Sequence, residues 1–342
     1  MAEPFEDLTP DQMRVLIEHE RAKASPLNAD TRTGGEVAAD MFERTRHAQS
    51  EVGSWTADGS LRHVHRKHAG EVRRLSLRKL ELSTALGNEL LSIHTPLTGT
   101  AVGSKSKVEP MLAAASVTSN AGAQLIVVEA PDEGHVMPTG EIAWRRKDYR
   151  YINLEPAGYT LLPDGEDVTA SAVPRSVAAW NPETAPNYAV QFTLSRDEQR
   201  QFENGELPEL TMISLVMGIG RAADQALLRQ VAASTPGTWS IAAAAAAGLN
   251  FDACRAVIGS SGTGASVRAD GQLIAGGLPA ALTPMSADTY AGDWSRVACG
   301  VQDTIILTTQ RTGLDGSMLF TAHIGLQPLI PNLAKSIWKV TA

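Results

Sequence analysis

Hydrophobic positions change their spacing several times along the 342 residues, and each change marks an element. The most strongly patterned stretch runs from Pro208 to Ala233. Leu210 through Ile219 is apolar on nearly every side. Further on, Ala223, Ala226, Leu227 and Val231 recur at helical spacing while Asp224, Arg229 and Gln230 take the other side. Pro208 suits the first helical turn, and Glu209 complements the helix N-terminus. Pro236-Gly237 closes the segment. The pattern predicts one helix of roughly 25 residues, about 38 Å long at 1.5 Å per residue. Such a helix, buried at one end and half-wet at the other, can carry flatter elements along its length.

Ahead of it the pattern predicts three helices. Thr9-Pro10-Asp11-Gln12 has the form of a capping box and opens a helix to about Lys23. Gly34–Ser50 reads as a second. Arg66 to about Ile93, carrying Val72, Leu75, Leu77, Leu80, Leu82, Leu86, Leu90 and Leu91, reads as a third. These are expected to lie on another surface rather than enclose a core. After a Gly/Ser/Thr-rich linker, Gln124–Glu129 is a strand. From Pro131 to Pro186 there are seven prolines and only short strand candidates, at Glu141–Arg146, Tyr149–Leu154 and Tyr159–Leu162. Proline at that density excludes central strands, so the stretch predicts a two-stranded excursion that needs another surface to rest on. Tyr188–Ser195 alternates cleanly and returns the chain to the body as a strand, and Arg196–Asn204 leads into the long helix. Beyond the helix the pattern predicts a short helix at Phe251–Ile258 capped by Asn250, a hairpin turn at Asp270-Gly271, and strands at Val297–Val301, Thr304–Gln310 and Ser317–Gly325.

Composition narrows the function classes. The net charge of −8 argues against sequence-specific nucleic-acid binding, which needs a basic footprint. One local exception is residues 61–80, with seven Lys or Arg against Glu71 alone, plus His63, His65 and His68. Arg73, Arg74, Arg78 and Lys79 form its densest part. Such a face either meets phosphates without base readout or is solvated and paired with acidic surface on a neighbour. The two cysteines, Cys254 and Cys299, sit in apolar settings and make neither a disulfide framework nor a zinc spacing, so a reducing cytoplasm is expected. Met1 is followed by acidic sequence rather than a secretory signal, and no apolar run reaches membrane-spanning length.

Catalytic machinery is hard to assemble from these residues. There is no G-x-S-x-G elbow, no H-E-x-x-H, no paired cysteines and no Walker lysine; the Gly259–Gly264 loop lacks that lysine. His135 and His323 are isolated, and Asp293–Arg296 reads as a local ion pair. Gly218-Ile-Gly220-Arg-Ala-Ala223 fits G-x-G-x-x-A, which would make Met212–Met217 a strand before a dinucleotide turn. The acidic residue that motif needs about 20 positions on is missing. Helix glycines at close packing contacts are the competing reading. No catalytic residue, cofactor or metal is expected.

The order of elements is itself a pattern. Strand Tyr188–Leu194 running through Ser195-Arg196-Asp197-Glu198 into a long helix resembles the strand that leads into the spine helix of tailed-bacteriophage major capsid proteins of the Hong Kong 97 type. Residues 238–300 resemble that family's axial domain, with Gly292-Asp293-Trp294-Ser295-Arg296 similar to its G-D-[FW]-S-x-[AV] approach to a core strand. Ser317–Val340 resembles the return to the peripheral domain. The resemblance spans roughly residues 120–342. It implies an α+β fold divided into an N-terminal helical arm (1–120), an extended-loop region (121–187), a peripheral domain with spine helix (188–237 and 311–342) and an axial domain (238–310). It also implies a structural protein of the virion, assembled in the host cytoplasm from hexamers and pentamers into an icosahedral shell around double-stranded DNA held by non-specific contact. Portal and possible scaffolding or decoration proteins would be its other partners, and no membrane. On that reading Trp144, Tyr149, Tyr151 and Ile152 of the excursion make inter-subunit contacts, and Arg73, Arg74, Arg78 and Lys79 face DNA or a neighbour. Some relatives lose an N-terminal segment during maturation; here a retained arm is expected. An encapsulin-like compartment shell and a nucleotide-dependent oxidoreductase are the alternatives.

Overall fold

Two six-stranded sheets share one long helix, and the chain visits each sheet more than once. The computed structural model describes residues 33–47, 54–55, 61–62, 70–83, 105–128, 135–136, 142–143, 149–162, 164, 167, 169–181, 184–203, 206–311 and 317–341. In chain order these contain helix α1 (Gly34–His47), strands β1 (Gly70–Ser76), β2 (Glu81–Ser83) and β3 (Lys105–Lys107), helices α2 (Val108–Ala115) and α3 (Val117–Asn120), and strand β4 (Gln124–Val128). A ribbon of β5 (Arg150–Leu154) and β6 (Arg175–Ala179) follows, then β7 (Asn187–Leu194), α4 (Arg196–Glu203) and α5 (Glu206–Ala233). The last third holds α6 (Ile241–Ala246), β8 (Arg255–Ile258), β9 (Ala265–Val267), β10 (Leu273–Ala275), β11 (Leu278–Leu282), β12 (Tyr290–Gly292), β13 (Ala298–Gln302), β14 (Thr304–Arg311), β15 (Met318–Leu329) and β16 (Ile337–Lys339). The fold is α+β, and no helix among the described residues is long and apolar enough to cross a membrane.

The larger sheet is built around β15. That strand pairs antiparallel with β14 over Met318–His323 and with β7 over Met318–Gly325, and then with β13 over Leu326–Leu329. β1 extends the sheet beyond β14, and β4 runs parallel to β13. Alternation decides which face is covered: Met318, Phe320, Ala322 and Ile324 are buried, while Leu319, Thr321 and His323 are half-buried on the other face. The buried row meets α1, α2 and the first two-thirds of α5 in one apolar core. The last turns of α5 enter a second core, where Leu227, Leu228 and Val231 meet Tyr290, Trp294 and Ile337. The smaller sheet, ordered β9-β10-β11-β8-β12-β16, takes its final strand from near the C-terminus. β13 and β14, by contrast, belong to the larger sheet.

The helix α5 runs 28 residues, about 42 Å at 1.5 Å per residue. Glycine lets it lie close to its neighbour: a Cβ on Gly220 would stand 2.7 Å from the Leu112 carbonyl oxygen of α2. Gly218 has no such role, since a Cβ there would meet nothing within 4 Å. Because the helix is unbroken from Glu206 to Ala233, the strand and turn required by the dinucleotide reading do not exist.

Asp224 departs from the expected polar face. It is buried where the two cores meet, and it accepts hydrogen bonds from Ser116 Oγ (2.6 Å), Val117 N (2.8 Å), Thr118 N (3.0 Å) and Thr118 Oγ1 (2.6 Å). The carboxylate thus caps α3 from another helix, which offsets the cost of burying a charge.

Three other expectations are corrected. Arg66–Ile93 does not form a helix where described: Gly70–Ser76 is a strand, followed by a turn and β2. Leu75 and Leu77, then Leu80 and Leu82, are spaced by two, and all four are buried in the larger core. With α1, this segment is part of that core rather than a helical arm lying on it. Phe251–Ile258 is a single 3₁₀ turn, Phe251–Ala253, followed by β8, whose Val257 and Ile258 suit a strand paired on both edges. Tyr159–Leu162 forms no strand and is exposed. Gly34–His47, β4, β7 and the hairpin about Asp270-Gly271 form where predicted. The helix expected between Thr9 and Lys23 lies outside the described residues.

Candidate assembly surface

The excursion is a ribbon whose base and tip differ in kind. β5 and β6 pair antiparallel, with Ile152 opposite Val177 and Leu154 opposite Arg175. One face turns onto the chain's own body. Tyr149, Tyr151 and Ala178 pack against the cluster of Val128, Trp180, Ala298 and Leu329. Tyr151 donates its hydroxyl hydrogen to the Ser295 carbonyl at 2.6 Å, and Asn153 Nδ2 donates to the Arg296 carbonyl at 2.5 Å. Gln327 holds the returning strand, donating to the Ala179 carbonyl at 3.1 Å and accepting from Asn181 N at 2.8 Å. Trp180 covers Gly300, where a Cβ would stand 2.5 Å from its ring. Lys335 and Glu155 pair at 2.5 Å and mark the end of the anchored part.

The expected inter-subunit set therefore divides. Tyr149 and Tyr151 are spent within the chain, because strand alternation turns them inward; burial, and then the field of Asp293, pushes the Tyr151 hydroxyl above its ordinary range. Ile152 lies on the opposite, exposed face beside Val177 and Leu154. Trp144 lies outside the described residues. Past Glu155 the ribbon leaves the body, and its apolar residues face solvent: Tyr159 is 98% exposed, Leu161 96% and Val173 71%. Sequence reading missed Leu154, Tyr159, Leu161, Val173 and Val177 as exposed apolar residues. Their signal was present, as large apolar residues inside a proline-rich stretch that cannot bury them.

A cleft of about 390 Å³ opens between α5 and the edge strand β7. Tyr188 and Phe192 line one wall, Leu215, Gly218 and Ala222 the other, and Ile324 lies below. The small residues at 218 and 222 leave the cleft unfilled, and Arg221 stands at it. The exposed loop carries Asp164 and Asp167, of opposite charge.

The basic residues do not form one face. Arg73 is only 8% exposed and pairs with Glu71 and Asp40, because its strand turns it toward α1. Arg78 donates to the Val127 carbonyl at 2.6 Å and lies 3.9 Å from Glu109. Arg74, Arg78 and Lys79 are exposed.

Among the described side chains, those considered for chemistry form no joint site. His323 lies in β15 with Asn187 at 3.3 Å. His135 lies in the two-residue strand His135–Val136. Cys254 and Cys299 are buried thiols; burial first, and the field of Asp224 second, pushes Cys299 up to about 12, and Cys254 is also raised, chiefly by burial. Asp293 and Arg296 do pair, at 3.2 Å. Asp293 caps the turn at Trp294, and the guanidinium reaches the carbonyls of Ala247, Gly248 and Lys335, which makes the pair a structural clamp. Among the described residues no group of His, Cys, Asp and Glu could hold a metal ion.

No protein-family model matches the sequence, and no curated protein matches it. Solved structures similar to the chain include the capsid of an empty GTA particle, at 11% identity and TM-score 0.40 over 74% of this chain and 95% of that one. The satellite phage P4 procapsid with its size determination protein is similar at 9% identity and TM-score 0.42, covering 68% of this chain and 96% of that one. Mycobacterium phage Cain is similar at 15% identity and TM-score 0.37, covering 75% and 95%.

Proposed function

We propose that the chain is a structural shell protein of the Hong Kong 97 type, the major capsid protein of a tailed phage, whose copies close into an icosahedral head. The observation that carries this reading is the ribbon tip, where Tyr159, Leu161 and Val173 stand in solvent on a loop whose base is fastened to the body. Large apolar side chains displayed in this way are buried by another molecule, and a second copy of this chain is the partner that carries a matching surface. The cleft beside α5 offers apolar walls and Arg221 against the loop's Asp164 and Asp167. Docking tip to cleft is heterologous, so successive copies form rings where the rotation closes, and open filaments where it does not, rather than isolated dimers.

The order of the elements supports the same reading: ribbon, edge strand β7, helix α5 beneath one sheet, then a second mixed sheet at the far end of that helix. In this proposal the larger sheet with α5 is the peripheral domain, the smaller sheet is the axial domain, and the protein's role is structural rather than catalytic. Hexamers and pentamers, packaged double-stranded DNA in non-specific contact, portal and scaffolding or decoration proteins, and assembly in a host cytoplasm all belong to the proposal. Ile152, with Trp144, remains a proposed inter-subunit contact, and Arg74 and Lys79 are the proposed contacts to DNA or a neighbour. The test is the double substitution Tyr159→Ser/Leu161→Ser. Burying both side chains is worth roughly 3–5 kcal/mol per contact. The variant is expected to keep the urea midpoint of the unassembled subunit and to form no particles. Normal particles from it would overturn the role of the tip.

A further inference from the structure

The described chain starts on a sealed seam. Thr33 caps α1 in a capping box with Glu36, whose Oε2 accepts from Thr33 N at 2.7 Å. Thr33 Oγ1 also donates to Glu209 Oε2 at 3.1 Å, and a Cβ on Gly35 would stand 2.8 Å from Glu209 Cα, so α1 begins in close contact with the start of α5. From there the segment fills the larger core: Ala38, Met41, Phe42, Leu75, Leu77 and Leu82 are each no more than 2% exposed. β1 pairs with β14 from Gly70 opposite Gln310 to Ser76 opposite Thr304. Asp303 fastens the turn after β1, accepting from Ser76 Oγ at 2.8 Å and Arg78 N at 3.0 Å. β2 then pairs with β3, Ser83 opposite Lys105, so the two ends of residues 84–104 lie side by side.

We infer that Thr33–Ser83 is a permanent part of each subunit, and that any proteolytic trimming of N-terminal sequence during head maturation stops ahead of Thr33. Removing the segment would strip five large buried side chains, Ala38 and a whole strand from the core, a loss comparable to the net stability of an ordinary domain. A cut within 84–104 has the opposite consequence. Both fragments stay held, one by β1 on β14 and the other by α2 on α5, so the nicked chain persists as two associated fragments. Retention of the segment follows from packing alone; its bearing on maturation rests on the shell reading above.

The test places the recognition sequence of a site-specific protease within residues 96–102 of the full chain. After cleavage, the fragments are expected to co-elute under native conditions at the size of the intact subunit and to unfold in one transition. A chain lacking residues 1–32 is expected to keep the full-length urea midpoint, while one starting at Lys105 is expected not to fold. Release of the N-terminal fragment from a folded remainder would overturn the inference, as would a folded protein starting at Lys105. Mass spectrometry of purified particles supplies the second arm. Peptides from 33–83 are expected at one copy per subunit, and particles lacking them would refute the limit on trimming. If no particles form, the shell reading fails and the fragment experiment still decides retention.

Discussion

Asp224 should be among the costliest polar side chains of the described residues to remove. Replacing it with alanine deletes the acceptor for Ser116 Oγ, Val117 N, Thr118 N and Thr118 Oγ1, all at the junction of the two cores. The two hydroxyls lie 3.2 Å apart and can turn toward each other, so their loss is partly recovered. The two backbone N–H groups cannot turn, and an unsatisfied buried donor costs about 1–3 kcal/mol. The sum is roughly 3–5 kcal/mol, a large share of the 5–15 kcal/mol that ordinarily separates folded from unfolded chains. Asp224→Asn should lose less, because its amide oxygen can stand in for Oδ1, which accepts three of the four bonds, and its NH₂ group then faces only the Val117 N–H. Urea unfolding of the unassembled subunit, followed by tryptophan fluorescence, measures both variants; Trp294 lies against the turn after α3 and reports on this region. Asp252→Asn, on an exposed residue, is the control, expected within about 0.5 kcal/mol of the parent. If Asp224→Ala and Asp224→Asn both stay within about 1 kcal/mol, the junction does not depend on this carboxylate and the reasoning is wrong.

Gly220→Ala should destabilise by about 1–2 kcal/mol, because its Cβ would push against Leu112 O, whereas Gly218→Ala should be neutral or stabilise by up to about 1 kcal/mol; equal effects in thermal melts would count against the packing described for α5. Both cysteines should resist a thiol reagent at pH 8 until urea unfolds the chain. Cys299 is neutral in the fold up to about pH 12, while the unfolded thiol ionises from about pH 8.5. Its contribution is therefore complete below that pH and lost as pH rises toward 12, at about 1.4 kcal/mol per unit. The fall in urea midpoint between pH 9 and 10.5 should be shallower in Cys299→Ala, and an unchanged slope would contradict the assignment.

The sequence disclosed most where burial and period agree. Helix α5 and strands β7, β13, β14 and β15 are one-period segments with clear ends, and the structure has them within a few residues. The N-terminal third was harder, because leucines at 75, 77, 80 and 82 fit a helix stripe and two short strands almost equally well. Only pairing with β14, more than 220 positions away, decides between them. Asp224 was misplaced for a similar reason: an acid within an amphipathic run reads as solvated until its partners at Ser116–Thr118 are brought to it by the fold. The excursion was legible as a ribbon. Which of its faces rests on its own body was not, since Tyr151 and Ile152 differ only in parity. Arg73 and Arg74 repeat that lesson on β1.

Sedimentation velocity of the purified full-length protein, with negative-stain imaging of the fastest fraction, tests the central claim most directly. The account predicts closed particles of uniform size, many times heavier than the 36.3 kDa chain. Monomers or dimers alone, at high concentration and across mild buffers, with Tyr159 and Leu161 still in solvent, would contradict it.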